Sequence, residues 1–139
     1  MWPTAGWLWC VKPGIMLSDG LQGNSLEKYH SNEPLIRETA EQVIKDFGLF
    51  EMVVTFRGDQ GTPYDELFGQ VLPHIRSLME HENARLHALM YQIDIPESWW
   101  ARIRREHSPD AVARGITDAI LQRELFKVIT RNHYRQRRL

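Results

Sequence analysis

The densest group of ionisable side chains in this sequence lies just beyond the middle of the chain. It consists of Glu80, His81, Glu82, His87 and Asp94. A histidine flanked by two carboxylates can hold a raised pKa and act as a general acid or base. The same residues also suit a polar junction between two helices, where they cap the helix ends and face water. The sequence favours the junction, and only a cavity enclosing His81 or His87 beside Asp94 would favour acid–base chemistry.

A second pattern has the spacing of metal ligands. Glu27, His30 and Glu33 stand three residues apart, so a helix would place them on one face, as helical metal ligands require. A di-iron bundle needs a second Glu-x-x-His unit and two further inward carboxylates. The sequence has no second unit, so neither a metal site nor a cofactor is expected.

Motifs for covalent catalysis and phosphate binding are absent from the sequence. The lone Cys10 cannot form an internal disulfide or a redox pair. No serine stands in a Gly-x-Ser-x-Gly context, and the glycines at 58 and 61 lack the Lys-Ser/Thr of a phosphate-binding loop. Arg57-Gly58-Asp59 spells an adhesion tripeptide, which we interpret as a turn. The sequence therefore leans against an enzyme and predicts no catalytic residue.

Basic residues are concentrated towards the C-terminus and could form one contact face. The candidate face consists of Arg102, Arg104, Arg105, Arg131, Arg135, Arg137 and Arg138. Trp99, Trp100 and Tyr134 add flat aromatic surfaces of the kind that stack on nucleic-acid bases. Arginines near a helix C-terminus also complement the helix dipole without any partner. The sequence favours an acidic partner, within the same molecule or in another one, over nucleic acid.

The formal net charge of −1 conceals a strong polarity along the chain. Residues 1–99 contain 7 Lys/Arg and 14 Asp/Glu, a net charge of −7, whereas residues 100–139 contain 10 and 4, a net charge of +6. Such asymmetry can mark a nucleic-acid or membrane contact. It also lets the two parts attract each other, within one molecule or across a dimer. The second interpretation is favoured, because a near-neutral protein does not seek phosphate.

Apolar periodicity places most of these residues on amphipathic helices. The first predicted helix spans about 33–47, and the second runs from 63 to an interruption at 81–83, with a kink at Pro73. A third helix over about 82–93, a short helix from Glu97 and a long central helix after Ser108 follow. Caps and first-turn prolines support these starts, and Gly48 suits the end of the first helix. Residues 50–56 alternate between apolar and polar types, which predicts a half-buried strand. No second strand of comparable quality exists, so an extended connector or one short strand is favoured.

The first part of the chain shows no periodicity. Residues 1–31 are predicted to be an irregular extension, and we hypothesise that translation starts at Met16, with residues 1–15 a mis-called start. The remaining divisions are a helical domain over residues 32–134 and a basic tail over 135–139. No run approaches the ~20 apolar residues of a membrane span, and no targeting signal is evident. A cytoplasmic location without membrane contact is therefore expected.

Two runs of the sequence carry a resemblance. Residues 82–97 and 120–131 resemble small uncharacterised helical proteins of Bacteroidetes-type bacteria, over about residues 33–134. This resemblance implies a bacterial protein and brings no activity or site residue with it.

The sequence as a whole predicts an all-α bundle of four to five helices, with room for one short β-strand near residues 50–56. The favoured function is a non-enzymatic module for protein interaction or self-association. The alternative is a nucleic-acid-associated accessory protein that uses the basic C-terminal face.

Overall fold

In the computed structural model, which describes residues 26–59 and 61–138, the chain folds as an all-α bundle. The five α-helices of this part are α1 (Glu33–Gly48), α2 (Pro63–His81), α3 (Asn83–Ile93), α4 (Glu97–Ile103) and α5 (Pro109–Arg138). A short 3₁₀ turn, Glu27–Tyr29, precedes α1. The fold class predicted from the sequence is confirmed, and none of the described residues forms a strand.

Three helices begin at the capping residues that the sequence indicates. The side-chain oxygens of Asn32, Thr62 and Ser108 accept backbone N–H groups three residues further on, at 3.2, 3.3 and 3.1 Å. Each cap satisfies an N–H group that has no partner inside its helix. A proline in the first turn of each helix supplies the helical φ angle in advance.

Helix α5 is the central element, as its wide apolar stripe predicts. Ile116, Ile120, Leu121, Leu125 and Val128 are fully buried. These side chains point in several directions around the helix, and α5 accordingly contacts each of the other four helices. A helix that is apolar on more than one side needs neighbours on each of those sides.

Residues 52–57 form an extended connector rather than a strand, and residues 50 and 51 belong to the turn that ends α1. The backbone groups of the connector bond to side chains of α2 instead of to another strand. The bonds join the Val53 carbonyl to His74 Nε2, the Thr55 N–H to Gln70 Oε1, and the Arg57 N–H to Glu66 Oε2, at 2.8, 3.2 and 2.6 Å. The alternation seen in the sequence is real, because Val54 is buried while Val53 and Thr55 are exposed.

The match between connector and helix is geometric. Residues four apart on α2 are separated by about 6 Å along the helix axis. Residues two apart on an extended chain are separated by about 6.6 Å. Three side chains spaced four residues apart on α2 can therefore form hydrogen bonds to every second residue of the connector. The connector runs antiparallel to α2. These side chains provide the hydrogen bonds that a neighbouring strand would otherwise make. For this reason one extended segment can exist without a second strand beside it.

Helix α1 ends differently from the prediction. Gly48 lies inside the helix, and the left-handed residue that closes it is Glu51, with φ of 62°. The Met52 N–H bonds to the Phe47 carbonyl at 3.0 Å and the Glu51 N–H to the Gly48 carbonyl at 3.0 Å. This pair of bonds is the Schellman arrangement, which usually has glycine at the left-handed position.

Two predicted boundaries also move. Leu26 and Tyr29 pack against the core, so the domain begins before residue 32. The residues predicted as a tail continue α5 as far as Arg138. The Trp-rich start and the hypothesis about Met16 lie outside the described residues. Within the described part of the chain, no helix is long and apolar enough to cross a membrane.

Candidate functional site

A pocket of about 380 Å³ lies between α4 and α5. The two helices approach closely there because Gly115 has no side chain, and a Cβ atom on it would stand 3.2 Å from Ile103 Cγ2. The pocket is lined by Trp99, Arg102, Ile103, Gly115, Asp118, Ala119 and Gln122. Its wall combines apolar side chains with polar ones, and a small number of polar groups converging on an apolar surface is typical of small-molecule sites. We therefore treat this pocket as the candidate functional site.

The pocket contains two opposite charges that are not paired. Neither Arg102 nor Asp118 takes part in an ion pair with any residue that the structure describes. Asp118 instead accepts hydrogen bonds from uncharged donors, the Tyr64 hydroxyl on Oδ1 and Gln122 Nε2 on Oδ2, the latter at 3.2 Å. Gln122 Oε1 is buried without a hydrogen-bond partner. Hydrogen bonds thus hold Asp118 in place, whereas Gln122 Oε1 lacks a hydrogen-bond donor.

An aromatic stack stands behind Asp118. The rings of His30 and Tyr64 lie parallel, with centroids 3.7 Å apart and planes 2° from each other. The Tyr64 N–H also donates to the His30 carbonyl at 3.3 Å. These contacts attach the segment before α1 to the first turn of α2, and they hold the Tyr64 hydroxyl against Asp118.

The stack does not activate a nucleophile. Burial raises the pKa of the Tyr64 phenol above its ordinary value, and the Asp118 carboxylate raises it further. Burial also lowers the pKa of His30, against the opposing attraction of Asp118. A neutral phenol therefore faces a neutral imidazole at pH 7. A tyrosine nucleophile needs a lowered pKa, so this arrangement positions Asp118 and does not serve covalent chemistry.

A second polar group lies in the core where α1 meets α5. Glu124 is fully buried, and Asp46 is 5% exposed. Lys127 Nζ lies 3.0 Å from Glu124 Oε1, but it donates its hydrogen bond to the Ile93 carbonyl at 3.1 Å. Neither oxygen of Glu124 accepts a hydrogen bond of good geometry. Burial, and then the neighbouring Asp46 carboxyl, raises the pKa of Glu124 to about 8 against the charge of Lys127. Glu124 is therefore mostly protonated at neutral pH.

The basic residues predicted to share one face fall into two groups. Arg102, Arg104 and Arg105 lie on or just after α4, beside Gly115 of α5. Arg131, Arg135, Arg137 and Arg138 lie on the last turns of α5. Because 16 residues separate Gly115 from Arg131, the two groups are about 24 Å apart along the helix. The structure does not join them into one patch.

Some of these arginines have partners within the molecule. Arg104 pairs with Glu97 at 3.3 Å and stands over the ring of Trp100, 5.1 Å from its centroid. Arg131 pairs with Glu38 at 3.1 Å. The Arg131 pair joins the acidic first part of the chain to its basic end. Part of the charge polarity is thus neutralised by the fold itself.

The three predicted aromatic anchors differ in how far their rings are exposed. Trp99 is 7% exposed and belongs to the core and the pocket wall. Trp100 is half-buried, with its ring in edge contact with His87 at 5.6 Å. Tyr134 is 60% exposed near the end of α5. Of the three, Tyr134 alone presents a largely open ring.

The predicted polar cluster is dispersed. Glu80, His81 and Glu82 are exposed at the junction of α2 and α3, but the side chain of Glu82, at the N-cap of α3, makes no capping hydrogen bond. Asp94 lies at the opposite end of α3 in the left-handed conformation, and it pairs with Arg123 at 3.0 Å. The length of α3 therefore separates Asp94 from Glu80, His81 and Glu82.

The predicted metal-ligand spacing does not produce a site. The His30 ring stacks on Tyr64, and Glu33 accepts a hydrogen bond from Arg37 Nε at 2.7 Å. Among residues 26–59 and 61–138, no three potential metal ligands converge.

Sequence reasoning missed Asp118 and Glu124, although a signal for both exists. Both residues lie in the part of α5 where most of the surrounding residues are apolar and buried. A carboxyl in such a segment is unusual, and its position there is the signal. A buried carboxyl must find hydrogen bonds or remain protonated. The sequence does not show which partner each one meets, because Tyr64 and Asp46 come from other helices.

Comparison of the chain with family models, curated proteins and solved structures finds no match. The resemblance to helical proteins of Bacteroidetes-type bacteria stays a prediction.

Proposed function

We propose that this protein is a non-enzymatic interaction module that pairs with a second copy of itself through the last turns of α5. The proposal rests on the exposure of this helix end. Every side chain from His133 to Gln136 is exposed, and Tyr134 keeps 60% of its surface open. A helix end without packing frays in water, and tyrosine is a common interface anchor. A partner that covered Tyr134 would hold the helix end in place.

The surface we propose as the acceptor is the outer face of α1 in the second copy. Glu41 and Ile44 are three residues apart on that face, and both are exposed, Ile44 to 39%. They offer a carboxylate beside an apolar side chain, which complements Arg135 beside Tyr134. A twofold dimer would form this contact twice, because each copy carries both surfaces.

The competing proposal is contact with nucleic acid through the same basic helix end. Nucleic-acid binding without sequence preference combines arginines with several open aromatic rings. Trp99 is buried and Trp100 is covered by His87 and Arg104, which leaves Tyr134 as the open ring of the three candidates. This distribution favours a protein partner.

Size-exclusion chromatography with light scattering on the full chain tests the proposal. We expect a dimer at micromolar concentrations, and we expect Arg135→Glu to dissociate it. Combining Arg135→Glu with Glu41→Arg should restore the dimer, because the charges then attract again. Arg105→Glu is the matched control, since this exposed arginine lies beside the other end of α5, and it should leave the dimer unchanged.

Two results would count against self-association. One is a wild-type monomer at both low and high salt. The other is a salt-dependent gel shift of RNA or DNA that disappears in the Arg135→Ala, Arg137→Ala, Arg138→Ala variant, which would favour the nucleic-acid proposal.

A further inference from the structure

The pocket between α4 and α5 holds a guanidinium and a carboxylate that form no ion pair with each other or with any other described residue. We propose that this pocket binds the zwitterion of an apolar α-amino acid. The ligand carboxylate would pair with Arg102, and its ammonium with Asp118. This proposal does not depend on self-association.

The two unpaired charges are the main support. Arg102 and Asp118 are both half-buried, so each has lost part of its water without gaining a counterion, and Asp118 is compensated only by hydrogen bonds from uncharged donors. Arg102 and Asp118 line one pocket and do not pair with each other. A molecule that carries both an ammonium and a carboxylate can satisfy both charges at once. A plain anion would satisfy Arg102 and be repelled by Asp118.

The surroundings of Asp118 suit an ammonium group. Its two oxygens are already positioned by the Tyr64 hydroxyl and by Gln122 Nε2, so the carboxylate does not have to be ordered on binding. An ammonium group has three hydrogens to donate. Gln122 Oε1 is buried in the same wall and has no hydrogen-bond partner.

The remaining walls and the size of the pocket define the rest of the ligand. Trp99, Ile103 and Ala119 provide an apolar surface for a side chain. A volume of about 380 Å³ lies at the lower end of the range for small-molecule pockets, roughly 300–1,000 Å³. A single amino acid suits a pocket of this size.

Titration of the ¹⁵N-labelled full chain with L-phenylalanine tests the proposal. Gly115 lines the pocket, so its amide signal is a local reporter. We expect this signal to shift and saturate. N-acetyl-L-phenylalanine lacks the ammonium charge and L-phenylalaninamide lacks the carboxylate, so each should bind about tenfold more weakly or worse.

Variants then assign each charge to its partner. Arg102→Met should weaken L-phenylalanine about tenfold but leave L-phenylalaninamide unchanged, because that ligand has no carboxylate to lose. Asp118→Asn keeps an acceptor for Tyr64 and should weaken L-phenylalanine while leaving the N-acetyl ligand unchanged. Arg105→Met is the control and should bind as the wild type does. The same spectra show whether each variant is folded.

Three results would overturn the proposal. The first is no saturable shift of Gly115 with millimolar L-phenylalanine. The second is equal binding of the zwitterion and either singly charged analogue. The third is equal weakening of all three ligands by Arg102→Met, which would indicate a general loss of pocket shape.

Discussion

The buried carboxyl of Glu124 makes a sharp prediction about stability and pH. Its pKa is raised to about 8 in the folded protein, mainly by burial and then by Asp46, from an ordinary value of 4.5. Between these two values the folded protein holds one proton more at this site than the unfolded chain. Stability therefore falls as the pH rises through this window, by about 1.4 kcal/mol per pH unit where the difference is complete.

Replacing Glu124 by glutamine removes this dependence, because the amide has nearly the same shape and does not ionise. Between pH 5.5 and 8.5 the contribution of the wild-type carboxyl should fall by about 3 kcal/mol. We expect Glu124→Gln to have nearly the wild-type free energy of unfolding at pH 5.5. At pH 8.5 it should be more stable than the wild type by about 3 kcal/mol.

Urea unfolding followed by circular dichroism at both pH values measures the difference. Comparing wild type with variant at each pH cancels the titration of other groups, including His30. Glu80→Gln serves as the control, because Glu80 is exposed and its replacement should shift stability equally at both pH values. A wild-type-minus-variant difference that stays constant from pH 5.5 to 8.5 would refute a raised pKa at Glu124.

Three further predictions concern local contacts, each checked by urea unfolding at pH 7. Glu51→Gly should stabilise the protein by about 0.5–1 kcal/mol, because glycine adopts the left-handed conformation there without strain; destabilisation would contradict this account of the α1 end. Gln70→Leu should cost about 0.5–1.5 kcal/mol, because it removes the acceptor of two exposed bonds from Thr55. A neutral result would show that the connector does not need this side chain. Tyr64→Phe should lower the free energy of unfolding by about 1.5–3 kcal/mol, because the hydrogen bond to Asp118 is lost. If Tyr64→Phe costs as much in a variant that already lacks the Asp118 carboxylate, the loss does not come from this bond.

Local signals in the sequence were sufficient for most of the helices. Thr62 and Ser108 act through hydrogen bonds to residues three positions further on, and the following prolines act through their own φ angles. These interactions lie within one turn of chain, so they can be seen without knowing what packs against the helix. The stripe of α5 could be recognised for the same reason.

Interactions between distant segments could not be predicted in this way. The alternation at residues 50–56 indicated a half-buried extended segment, and residues 52–57 form one, but its partners are Glu66, Gln70 and His74 on a helix. A pattern of period two shows which side chains face inward and leaves open what satisfies the backbone. The pairing depends on the distance between α2 and the connector.

The sequence by itself determined the helical class, the positions of the caps and the separation of charge along the chain. The tertiary structure alone decided which of those charges meet. It placed Arg131 on Glu38, left Arg102 and Asp118 unpaired in one pocket among the described residues, and buried Glu124 beside Asp46. Charge and burial depend on distances through space, whereas capping and periodicity depend on distances along the chain, and for that reason the candidate site could not be found before the fold.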